Sequence, residues 1–183
     1  MQQRLLIIGA GFAGMYAALS AARLRELQGT SPDELEIALI SPQPVLVIRP
    51  RLYEPAPETL TAPLLDVFRA TDVVYIQGRV ETIDTKAGCV DVVGPRDQRS
   101  TLTYDRLVLA AGSRLFRPDI LSLAQYGLSV DTLDDAVALD RHVHRLADRP
   151  ASPARGTVVV AGGGFTGIEV ATEMPNALAC HPG

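Results

Sequence analysis

Arg4-Leu-Leu-Ile-Ile-Gly-Ala-Gly-Phe-Ala-Gly14 decides the fold. Leu5 to Ile8 form a short apolar run closed by glycine, which is the pattern of a central parallel strand buried on both faces. Phe12 to Leu27 then reads as a helix. Small Ala13, Ala17 and Ala21 stand at its close-packing positions, Arg23, Arg25 and Glu26 mark an exposed end, and Gly29 is the stop. Ser31-Pro-Asp-Glu34 is a turn, and Glu36 to Ile40 returns as a second strand, which completes a βαβ unit. In that setting the glycines have separate duties. Gly9 permits the tight turn, Gly11 lets the backbone approach a pyrophosphate with no Cβ in the way, and Gly14 lets helix and strand pack closely. The phosphates would rest on the helix N-terminus.

Farther along, Pro42 to Pro63 is rich in proline and without a regular period, so it is expected to be a long structured loop. Val73 to Ile76 reads as a third buried strand. Val80–Ile83, Cys89–Val93 and Thr101–Tyr104, separated by turn signals, predict an antiparallel meander. Leu107 to Ala111 is again an apolar strand, closed by Gly112. Asp134 to about Ala147 is expected to be helical, because Thr132 with Asp135 has capping-box spacing and Val137, Val143 and Leu146 share a side. Arg149 to Arg155 is linker-like, and Thr157 to Ala161 reads as a new buried strand.

Directly after that strand the glycine pattern returns as Gly162-Gly-Gly164-Phe-Thr-Gly167, with Ile168-Glu-Val-Ala-Thr-Glu173 opening a helix. One such motif predicts a dinucleotide binder. Two, each between a strand and a helix, predict electron transfer between two dinucleotides, because a flavin and a nicotinamide each need their own cradle.

Composition narrows the alternatives. The chain has 183 residues and a net charge of −4, with its basic residues scattered, so it carries no electrostatic footprint for nucleic acid. Cys89 and Cys180 are its only cysteines and form no closely spaced pair, which excludes a disulfide scaffold, a cysteine zinc site and dithiol redox chemistry. This usage fits a reducing cytoplasm. His142, His144 and His181 form no ligand cluster, so no metal site is expected. Tyr53 and Tyr126 read as packing residues, and no nucleophile motif supports hydrolysis. Arg4 followed by the mostly apolar stretch to Ala22 imitates an export signal, but secretion has no use for glycines at 9, 11 and 14. No apolar run of about 18 residues suggests a membrane span.

The order and spacing of both glycine motifs resemble the flavoproteins with two dinucleotide-binding domains, and within them the type II NADH dehydrogenases. Ile37–Ser41, Arg49-Pro-Arg-Leu-Tyr-Glu54, Gly78–Asp84, Tyr104–Ser113 and Gly162–Glu169 carry the same resemblance. It implies an α/β fold: a Rossmann-like FAD-binding domain over residues 1–115, with a parallel sheet and an antiparallel meander. Residues 116–183 would hold a connecting helix and the start of a Rossmann-like NAD(P)-binding domain.

The resemblance further implies FAD and NAD(P)H as cofactors, with electrons passing to a quinone or another small acceptor. A reductase for a protein acceptor such as ferredoxin, or a non-catalytic FAD-binding fragment, are the alternatives. By the same resemblance, Gly9, Gly11, Phe12, Ala13 and Gly14 would hold the FAD pyrophosphate, and Val80 would touch the adenine through its backbone. Ala110, Ala111 and Gly112 would form a second flavin contact. Arg49 and Pro50 would lie near the isoalloxazine, and Gly162, Gly164, Phe165, Thr166 and Gly167 would receive the nicotinamide dinucleotide. Arg49 and Glu169 are the expected catalytic residues.

Three departures from the family pattern stand out. Ser41 occupies the strand end where an acid would bind the ribose hydroxyls, which weakens recognition of the adenosine end. Pro175 is expected to interrupt the helix after the second glycine motif. No sequence up to Gly183 matches the rest of the nicotinamide domain or the region through which relatives meet quinone and the inner face of the membrane, so the chain alone is expected to be inactive.

Overall fold

A computed structural model describes residues 2–179, and the chain divides into two compact units. The first comprises residues 1–46 and 62–113, and the second residues 47–61 and 114–183. The chain passes out of the first unit and back within the short strands β3 (Val45–Val47) and β4 (Thr61–Pro63).

The first unit is built on a four-stranded parallel sheet. Its strands are β1 (Gln3–Ile8), β2 (Leu35–Ser41), β5 (Val73–Gln77) and β9 (Arg106–Leu109), in the order β5-β2-β1-β9. In register, Ile7 lies beside Leu39 and Val108, and Ile37 beside Val73. Alternate residues of β1 and β2 serve opposite faces. Ile7, Ile37 and Leu39 pack with Ala18 and Ala22 of α1 (Phe12–Leu27) and Phe68 of α2 (Leu65–Ala70). Leu6, Ile8, Ala38 and Ile40 pack instead with Val90 and Val92 of the meander. That meander is β6 (Arg79–Asp84), β7 (Cys89–Val93) and β8 (Arg99–Thr103), antiparallel as expected, with an irregularity between Val80 and Thr82. The central strand is thus buried on both faces, as its apolar run predicts.

Four expectations for this unit need correction. The buried stripe of α1 is Gly14, Ala18, Ala22 and Arg25, with Ala13 exposed and Ala17 and Ala21 half-buried. Arg25, expected at an exposed end, is buried. Its guanidinium donates to the carbonyls of Leu35 at 3.1 Å, Thr71 at 3.1 Å and Asp72 at 3.3 Å. Those bonds let a charge stay inside, where an unpaired one would not, and they tie the end of α1 to the start of β2 and to the turn before β5. Finally, β5 is an edge strand with only Val73 buried, and β9 ends at Leu109, which is largely exposed.

In the second unit, α3 (Leu123–Tyr126) precedes α4 (Leu133–Leu146), and α5 (Phe165–Ala179) follows the second glycine motif. The Thr132 hydroxyl accepts from the Asp135 amide at 3.1 Å, so α4 has the expected N-cap. Its buried positions are Ala136 and Val143, while Val137 and Leu146 are half-buried. Leu52, Leu60 and Ala136 form a small core with Val47, Ile48, Val130 and Leu133. The proline-rich segment carries two single turns of 3₁₀ helix, at Arg49–Arg51 and Pro57–Thr59.

Three expectations fail in this unit as well. Thr157 to Ala161 forms no strand, and Val159 is 86% exposed. Among the described residues no strand lies beside it, and an isolated β segment has no ladder for its N–H and C=O groups. Nor does Pro175 end α5, which runs through to Ala179. The missing amide removes one hydrogen bond, but Pro175 is exposed, so water can take up the carbonyl it leaves. Tyr126, read as a packing residue, is 73% exposed. The expectations for Cys180 and His181 lie outside the described residues.

Candidate functional site

In the first unit the site is set by topology. The chain runs outward from β1 to β2 and β5, then returns on the other side of β1 as β9, so the direction reverses between β1 and β9. Open α/β sheets bind ligands beyond the carboxyl ends of their strands at such a reversal. Gly9 and Ala110 stand there.

The three glycines at this end meet different surroundings. Gly9 has φ +105°, a conformation costly for any side chain, and an added Cβ would lie 2.3 Å from the Ala110 oxygen. A Cβ on Gly14 would lie 1.8 Å from the Gly9 oxygen. Protein packing therefore demands both. Gly11 is different, because a Cβ there would meet nothing within 4 Å and its φ of −70° suits any residue. Nothing in the protein requires glycine at this position, and the open space lies where α1 begins, with unpaired amides and the positive end of its dipole. A pyrophosphate fits this cradle.

The other residues expected here are arranged as follows. Phe12 and Ala13 are exposed on the first turn of α1, and Gly14 is buried. Ala110 donates its amide to the Ile8 oxygen at 2.8 Å, and Ala111 and Gly112 follow exposed, Gly112 at φ +74°. Val80 is paired with Val92 in the meander. Ser41 is buried at the end of β2, and its hydroxyl donates to the Gln43 carbonyl at 2.6 Å. Only its lone pairs are left for a ribose hydroxyl to donate to.

In the second unit a cleft of about 390 Å³ is lined by Arg49, Pro50, Tyr53, Val130, Asp131, Phe165, Thr166 and Glu169. It brings together five of the residues singled out from sequence. Glu169 is the fifth residue of α5, beyond the first turn, so the helix dipole gives little reason for an acid there. Arg49 is held by Asp131, donating from Nη2 to a carboxylate oxygen at 2.7 Å and from Nε to the backbone oxygen at 3.1 Å. Val130 and Asp131 are lining residues that sequence reasoning missed, and Tyr53, expected only to pack, lines the cleft too. Tyr53 lay inside the Arg49–Glu54 run, but Asp131 is 82 positions from Arg49 and no local pattern couples them.

The second glycine loop repeats the geometry of the first. Gly162 has φ +131°, a Cβ on Gly167 would lie 2.0 Å from the Gly162 oxygen, and one on Gly164 would meet nothing within 4 Å. The Ile168 amide donates to the Gly164 oxygen at 3.1 Å, as the Met15 amide does to Gly11 at 2.9 Å. Among the described residues there is no cluster of three metal-ligating side chains, and no helix is long and apolar enough to cross a membrane.

The sequence model of the pyridine nucleotide-disulphide oxidoreductases matches residues 3–181. The chain belongs to that family. Its relatives include an NADH dehydrogenase-like protein of Mycobacterium tuberculosis, 39% identical over 175 residues. That alignment covers 96% of this chain but 43% of the relative, so the chain spans less than half the relative's length. A demethylphylloquinone reductase of Synechocystis is 29% identical, again over 96% of this chain and 43% of its own. The fold matches that of NDH2 from Plasmodium falciparum, solved in complex with NADH, with a TM-score of 0.77 and 19% identity. This match covers 97% of the chain and 37% of the NDH2 chain.

Proposed function

We propose that this chain supplies the FAD cradle and the start of the nicotinamide cradle of an NAD(P)H dehydrogenase that passes electrons to a quinone. One observation carries the reading. In two loops the first and last glycines are fixed by backbone strain or packing, while the middle one, Gly11 or Gly164, faces open space at a helix N-terminus. A ligand at the helix N-terminus would give those positions a reason to lack a side chain. The names of the mycobacterial and Synechocystis relatives support the nicotinamide and quinone parts of the proposal.

Bound FAD would supply the redox chemistry, accepting hydride from the reduced nicotinamide. The protein would orient and stabilise. Gly9 to Gly14 would hold the FAD pyrophosphate, and Gly162 to Gly167 that of NAD(P)H. We assign the cleft of Arg49 and Glu169 to the reacting rings: Arg49 would stabilise negative charge on the reduced flavin, and Glu169 would border the nicotinamide. Residues 1–115 would then form the flavin domain and residues 116–183 the connection and the opening of the nicotinamide domain.

Gly11→Val tests the reading. An added Cβ at Gly11 meets nothing within 4 Å. The variant should therefore keep the parent's circular dichroism and unfold cooperatively, with at most the small loss of a poorer N-cap, yet lose FAD binding, measured by flavin fluorescence quenching. A folded Gly11→Val protein that binds FAD with the parent's affinity would refute the assignment.

A further inference from the structure

We infer that Asp131 is the positioning residue of the Arg49 cleft, fixing the guanidinium and offsetting its charge so that Arg49 acts chiefly as a directed donor. The inference rests on the assignment of that cleft to the reacting end of the flavin. Asp131 grips Arg49 at two points, through Oδ1 and through its own backbone oxygen. Its remaining polar atoms are also engaged. Oδ2 accepts from the Leu115 amide at 2.9 Å, and the Asp131 amide donates to the Ser129 hydroxyl at 3.0 Å. The next residue, Thr132, caps α4. Backbone and side chain of Asp131 are therefore locked, and they lock Arg49 in turn.

Stability alone does not account for this arrangement. The Arg49 and Asp131 side chains are 41% and 22% exposed, and partly exposed ion pairs add little to folding. A guanidinium held at two points along one edge does keep its remaining donor directions fixed, as recognition of a planar ligand requires. The Asp131 carboxylate also offsets the Arg49 charge beside it, and Glu169 lines the same cleft, so Asp131 should restrain how strongly the cleft favours a negatively charged reduced ring.

The test is the midpoint potential of the FAD-loaded chain, measured by dye-coupled spectral titration for the parent, Asp131→Asn, Arg49→Gln and the double variant. Removing the Asp131 charge makes the cleft one unit more positive. Asp131→Asn should therefore shift the two-electron equilibrium toward reduced flavin by about tenfold, or about 30 mV. Arg49→Gln should shift it the opposite way, and the double variant should return toward the parent. Asp131→Ser, which also keeps an acceptor for the Leu115 amide, carries the same expectation should Asp131→Asn misfold. If Arg49→Gln lowers the potential while both Asp131 variants leave it unmoved, Asp131 does not tune the cleft, although the site assignment stands. If Arg49→Gln moves nothing, or the parent takes up no FAD, the assignment itself falls and the inference with it.

Discussion

The loops Gly9–Gly14 and Gly162–Gly167 share glycine spacing, backbone signs and the close approach of the third glycine to the first, yet only one of them is built into a sheet. Gly9 follows a strand paired on both sides, and its Cβ position is closed by Ala110, the residue just past the end of the neighbouring strand. Gly162 follows an exposed, unpaired segment, and nothing lies within 4 Å of its Cβ position. The turn and the helix start are therefore local products of the GxGxxG sequence, because they form with or without a sheet. Enclosure of the loop is not local. It depends on strands that arrive from far along the chain, such as β9, which reaches β1 only after the whole meander.

The largest effect expected from this contrast is in hydrogen exchange. Amides of Ile7 and Ile8, inside a doubly paired strand, should exchange only when the first unit unfolds. Amides of Val158 and Val159 have no ladder to leave. Global unfolding costs of about 5 kcal/mol or more imply protection differing by roughly 10³-fold or more. Mass spectrometry of pulse-labelled peptides would read it, and equal protection of the two segments would mean that 157–161 is paired after all.

The next largest effect compares two substitutions of one kind. Gly14→Ala drives a Cβ to 1.8 Å from a carbonyl that the sheet holds in place, so helix and strand must separate; a loss of about 3 kcal/mol is expected. Gly167→Ala drives a Cβ to 2.0 Å from the Gly162 oxygen, but that loop can move, and a loss of about 1 kcal/mol or less should follow. Urea unfolding of the two variants, followed by tyrosine fluorescence, checks the ranking. Equal losses would show that the second loop is as firmly held as the first.

The same contrast explains what could be read from sequence. The central strand, α1, the meander and the cap of α4 were legible because each is announced by neighbouring residues: an apolar run, a glycine, a threonine three positions before an acid. Arg25 was misread because burial of a charge depends on carbonyls of Leu35, Thr71 and Asp72, which no helical pattern reveals. The strand expected at Thr157–Ala161 was misread for the opposite reason. Its valines have strand propensity, but propensity does not supply a neighbour. At the cleft, family resemblance points to Arg49 and Glu169, and the fold places both on its lining, whereas Asp131 becomes visible only when the fold brings it to Arg49.

The smallest expected effect separates the two units by the kind of bond that each gives an acid within reach of solvent. In the first unit, hydrogen bonds from the Thr82 and Thr101 hydroxyls, at 2.5 and 2.8 Å, hold the Asp91 carboxyl below its ordinary pKa. In the second, the Arg51 guanidinium holds Glu54 low through bonds of 2.6 and 2.5 Å. Because both folded values are depressed, both groups stabilise the fold above their unfolded values, and that contribution is lost as pH falls through the folded ones. Salt should tell them apart. At 1 M ionic strength the screening length falls to about 3 Å, which weakens an exposed ion pair but hardly touches a neutral hydroxyl donor. In carboxyl-detected NMR titrations, Glu54 should therefore move back toward its ordinary value between 0.05 and 1 M salt, as expected for screening on that scale, while Asp91 stays low. Asp91 moving as far as Glu54 would mean that the charge of nearby Arg99, and not the two threonines, sets its acidity.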